Sequence, residues 1–273
     1  MRERAWKKKK NVKKLIGPDE QRNLKEMSPR AIAAFSVRCA QRIQPYLLAT
    51  QTEQSLLQLY GDPVQLGKEF CAGRIDQFEK LWSTFYLVKR FDRGARIRTY
   101  FGQIYHAYAT AAVRDTAFVA CSLNYQSAKE TPVTISYPDI KRGFYHSTVL
   151  SYPYQDVGIE KAVEIVVGVT ESIYSYADMV SQNYLPENRY WFHENPSDDE
   201  RLSLIKEHEE NEEPTEFLKR EIRRDYETLL NNRESLLDEN DPLGTPIDFD
   251  RTDLFGPLWL GKEPLWFKNS TIE

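Results

Sequence analysis

Ser28-Pro29-Arg30-Ala31-Ile32-Ala33-Ala34-Phe35-Ser36-Val37-Arg38-Cys39-Ala40-Gln41-Arg42-Ile43-Gln44-Pro45 is the stretch on which the fold class turns. The Ser28 hydroxyl can accept a hydrogen bond from an otherwise orphaned backbone N–H, which makes it a good N-cap. Pro29 then falls at the first helical position, where its missing N–H costs nothing. Ile32, Phe35, Cys39 and Ile43 recur at steps of three and four, the period of a helix. Arg30, Arg38, Gln41 and Arg42 fall largely elsewhere on the wheel. Pro45 should end or kink the helix near Gln44. The stretch reads as an amphipathic core helix.

Helical patterns recur downstream. Residues 53–60 suggest a short helix, and Asp62-Pro63 opens another by the same cap-then-proline logic. Gly61, Gly67 and Gly73 do not make a phosphate loop, because Gly67-Lys68 is followed by Glu69 rather than Ser or Thr. They read as cap or close-packing positions. Residues 74–90 give an amphipathic segment through Ile75, Phe78, Leu81, Trp82 and Phe85. The longest helical candidate covers 95–127, and its alanine-rich stretch 107–120 lets a neighbouring helix approach closely. Pro132, Pro138 and Gly143 break the next region into a loop with short extended pieces. A helix over about 158–184 is apolar nearly all round, which places it at the centre. These patterns predict a mainly α protein, a multi-helix bundle with a central buried helix pair.

The chain has 273 residues, 41% of them apolar, and a net charge of −4. Its charge is uneven: residues 1–14 carry a net +7 and residues 187–273 a net −12. Four parts follow from this. Residues 1–17 read as a flexible basic arm and 18–186 as a helical core domain. Residues 187–240 read as acidic, charged helices packed on the core, and 241–273 as an extended aromatic tail docked there. Ser197-Asp198-Asp199-Glu200 is a capping box. The helix expected over 215–237 has Glu216–Arg220 and Arg223–Glu227 at i,i+4 spacing and few apolar positions, so a surface location is expected. In the tail, the prolines forbid a continuous helix, and Trp259 and Trp266 are expected to anchor it to the body.

The chemistry implied is that of binding. No His-Glu-x-x-His, Cys-x-x-Cys or Gly-x-Ser-x-Gly pattern occurs, and no metal or cofactor is expected. Asp248 to Asp253 lacks the Gly and Glu that a calcium loop requires at its sixth and twelfth positions. The three cysteines, Cys39, Cys71 and Cys121, lack metal-ligand spacing and suggest buried, reduced thiols in a cytoplasm. No apolar run is long enough for a membrane span, and the charged N-terminus is not followed by a signal-peptide core. Asp115 falls on the apolar stripe of its helix. A structural reading pairs it with an arginine of a neighbouring helix such as Arg38 or Arg42. A catalytic reading makes it the centre of a helical site with His106 and Tyr108. Nucleic acid could be engaged only through the lysine arm, Lys7, Lys8, Lys9, Lys10, Lys13 and Lys14.

Residues 28–45, with the alanine-rich segment Ala107-Tyr108-Ala109-Thr110-Ala111-Ala112-Val113-Arg114-Asp115-Thr116-Ala117-Phe118, resemble the helices of an all-helical family of bacterial toxin-immunity proteins. The resemblance spans about residues 28–185 and rests on apolar pattern and a few arginines. It implies a role in binding and blocking a cognate toxin, with no catalytic residue. The acidic set Asp198, Asp199, Glu200, Glu207, Glu209, Glu210, Glu212 and Glu213 then becomes the candidate contact surface for a basic toxin domain.

Overall fold

A computed structural model of the chain describes residues 15–44, 54–74, 104–123, 133–139, 144–150, 158–183, 214–250 and 254–260. Among these, six helices appear: α1 (Pro18–Lys25), α2 (Pro29–Gln41), α3 (Gln54–Cys71), α4 (Ile104–Leu123), α5 (Ile159–Asn183) and α6 (Pro214–Asn231). The fold is a mainly α multi-helix bundle. Strands β1 (Val133–Asp139) and β2 (Phe144–Leu150) pair antiparallel between α4 and α5, with Val133 opposite Leu150 and Asp139 opposite Phe144. They supply the extended pieces expected there. Helices α4 and α5 pack along one another, and α2 touches α3, α4, α5 and α6.

Helix α2 starts as its sequence dictates. Ser28 is extended, and its hydroxyl accepts from the Ala31 N–H at 3.4 Å. The helix ends at Gln41, three residues short of the expected stop at Gln44. Every residue from Arg30 to Ala40 is buried, the arginines included. The polar side of the wheel is therefore not a solvent face, since α6 and the C-terminal segment cover it.

Helix α3 departs from expectation. Asp62-Pro63 does not divide it, and the helix runs from Gln54 to Cys71 with Pro63 inside. A proline there forfeits its own bond to the Leu59 carbonyl and its ring crowds that oxygen. Val64, Leu66, Phe70 and Cys71, all buried, hold the rest of the helix on the core. Gly67 is the point of closest approach. A Cβ on it would lie 2.6 Å from Val37 Cγ2 and 3.2 Å from Thr116 Cγ2, so α2, α3 and α4 meet where only hydrogen fits. Gly73 ends the helix at φ +70, with the Arg74 N–H reaching back to the Glu69 carbonyl and the Gly73 N–H to that of Phe70. That pattern is the Schellman C-cap, which favours glycine at this position.

Ala112, Val113, Ala117, Val119 and Ala120 of α4 are buried, as are Ala162, Val163, Val166, Val169, Ile173 and Ala177 of α5. Small residues on both helices permit their close packing. Glu160 and Glu164 leave α5 an exposed edge, whereas α2 is buried without a break from Arg30 to Ala40. Among the described residues, no helix is long and apolar enough to cross a membrane. The amphipathic segment over 74–90 beyond Arg74, the capping box at Ser197, the lysine arm and Trp266 lie outside the described residues.

Candidate functional site

The largest concentration of polar chemistry among the described residues lies in the interior, between α2 and α6. On α6 the buried positions are Thr215, Leu218, Glu221, Ile222, Asp225, Tyr226 and Leu229, one continuous stripe at helical spacing. The helix keeps an exposed outer face, with Glu216, Arg220, Arg223 and Glu227, but two members of its inner face are fully buried carboxylates. Arg42 Nη1 sits 2.5 Å from Asp225 Oδ2, and Arg38 Nε 3.5 Å from the same oxygen. Arg224 Nη1 lies 2.8 Å from Glu221 Oε2, with Arg42 Nη2 3.9 Å away on the opposite helix. Buried charge persists only when compensated, and here α2 brings Arg38 and Arg42 while α6 brings both anions and Arg224. On the outer side of α6, Glu216 pairs with Lys219, and Arg223 reaches Glu20 of α1 at 3.5 Å.

Among the described residues, Arg38, Arg42, Arg224 and the half-exposed Arg220 lie within 4 Å of these two carboxylates. The C-terminal segment 254–260 adds main-chain oxygens. Arg38 Nη2 donates to the Gly256 carbonyl at 2.8 Å and also to that of Pro257. Arg224 Nη2 donates to Pro257 O at 2.7 Å, and Arg42 Nη2 to Leu258 O at 3.1 Å. The Leu260 N–H donates to Glu221 Oε2 at 3.3 Å. Two aromatics close the arrangement. The Arg38 guanidinium carbon stands 5.6 Å from the Phe255 ring centroid, and that of Arg42 stands 5.4 Å from Trp259. Trp259 stacks on Phe217, with ring centroids 5.7 Å apart, and Phe255 stacks on Phe249 at 5.9 Å. Burial draws the Arg38 pKa down to about 10, with Asp225 pulling against that and Arg42 and Arg224 adding to it. The neighbouring Cys39 thiol is pushed up to about 12 by burial, and that of Cys71 is raised by the same cause.

A second clamp fixes the chain before that segment. Arg30 Nη1 pairs with Asp241 at 2.7 Å and also donates to the Gly244 carbonyl. The Arg30 N–H donates to Leu243 O at 3.0 Å, and the Ile247 N–H to Cys71 O at 2.8 Å. Gly244 has φ +88 and no room for a Cβ, which would meet the Ser28 side chain at 2.3 Å. The Leu243 N–H, with Arg30 behind it, holds the Asp241 carboxyl below its ordinary value. Arg74 draws in Glu69 at 2.6 Å and Asp248 at 2.7 Å, with Asp250 at 4.0 Å. The acidic stretch tested for calcium thus supplies partners to an arginine. Among the described residues no three metal-ligating side chains stand together.

The site residues expected from sequence are dispersed. Asp115 pairs with its own neighbour, Arg114 Nε lying 2.5 Å from Asp115 Oδ1, and both side chains are partly exposed. It does not join Arg38 or Arg42, which Asp225 engages from α6. His106 and Tyr108 lie on α4. Arg38 is buried in the cluster just described, and Trp259 is buried within the C-terminal segment. Asp198, Asp199, Glu200, Glu207, Glu209, Glu210, Glu212, Glu213 and Trp266 lie outside the described residues.

Sequence reasoning missed Arg42, Glu221, Arg224 and Asp225 as one unit. A signal for them existed. Leu218, Ile222, Asp225 and Leu229 follow one another at steps of four, three and four, so Asp225 stands on the apolar stripe of α6. Compared with protein-family models, curated proteins and solved structures, the chain matches none of them.

Proposed function

We propose that this chain is a non-catalytic binding protein, an immunity protein that neutralises a basic bacterial toxin domain in the cytoplasm of the cell that makes it. The observation that supports this reading is where the charge goes. Within the described body, Arg30, Arg38, Arg42 and Arg224 are spent on carboxylates and carbonyls of the same chain, which fixes a rigid scaffold. The acidic residues of 187–273 that do not enter these pairs, Glu207 to Glu213 among them, are then available for recognition. A negative surface on a rigid body accelerates and orients encounter with a cationic partner, which suits an inhibitor that must outrun its toxin. High thiol pKa values at Cys39 and Cys71 suit a protein carrying unreacted cysteines.

The test is co-expression with a toxin domain encoded beside this chain. Cell survival and a complex that weakens steeply with salt are expected. Replacing Glu207, Glu209, Glu210, Glu212 and Glu213 together by Lys should slow association while leaving thermal stability unchanged. Survival that does not depend on this chain, with no complex at low salt, would overturn the reading.

A further inference from the structure

We draw no further inference here: the strongest candidate, the outer edge of strand β2 in the antiparallel hairpin between α4 and α5, carries nothing because nothing in the structure shows what covers it.

Discussion

Arg42 has no exposed surface and faces both Glu221 and Asp225. Arg42→Ala should destabilise the protein by about 3–5 kcal/mol, since it leaves buried carboxylates short of a cation. A urea titration reads this as a lowered midpoint. Arg233→Ala, which breaks an exposed pair with Glu26, should change stability by no more than about 1 kcal/mol. Gly67→Ala sets two effects against each other. Alanine gains about 1 kcal/mol in helix propensity, but its methyl must displace Val37, and overpacking costs about 1–3 kcal/mol. A net loss is expected in the same titration. Asp241 gives a pH signature. Its pKa is lowered from 3.8, so it binds fewer protons folded than unfolded. Its contribution is fully present above that ordinary value and is lost as pH falls through the lowered one. Asp241→Asn should therefore flatten the fall in stability as the pH drops from about 5 through the ordinary value of 3.8 and below it.

Helix α6 and the segment 254–260 act as one unit, because Glu221 accepts from Leu260 while Phe217 stacks on Trp259. Trp259→Ala should cost about 3–5 kcal/mol, measured by thermal unfolding, because the indole fills the space between Phe217 and Arg42. The legibility of these elements from sequence differs for physical reasons. Helix α2 could be read because its start depends on local groups, a hydroxyl cap and a proline, and its stripe on spacing alone. The uninterrupted course of α3 could not, since Pro63 argues locally for a break and only the packing of Val64, Leu66 and Phe70 outweighs it. Helix α6 misled for another reason. A carboxylate looks solvated until its cations are known, and two of them here, Arg38 and Arg42, lie on α2, far away in sequence. The same rule that singled out Asp115, a charge on an apolar stripe, applies with more force to Asp225.

At the scale of the molecule, the charge separation readable in the sequence is partly internal. Acidic residues of the C-terminal part neutralise arginines of the N-terminal part: Asp225 for Arg38 and Arg42, Asp241 for Arg30, Glu20 for Arg223 in reverse. The enclosed thiols report on the integrity of that whole. Cys39 and Cys71 should resist a maleimide in the native protein and react on unfolding, because burial raises both thiols and removes the thiolate that reacts. The arginine cluster also carries a consequence for biosynthesis. Arg38 and Arg42 leave the ribosome long before residues 221–225 exist, and longer before residues 256–258. Helix α2 can form by itself at that stage, but it cannot be enclosed, because its guanidiniums have no counter-charge and would be buried bare. The emerging chain must keep its central helix wet and wait, and the interior can assemble only once residues 221–258 have been made.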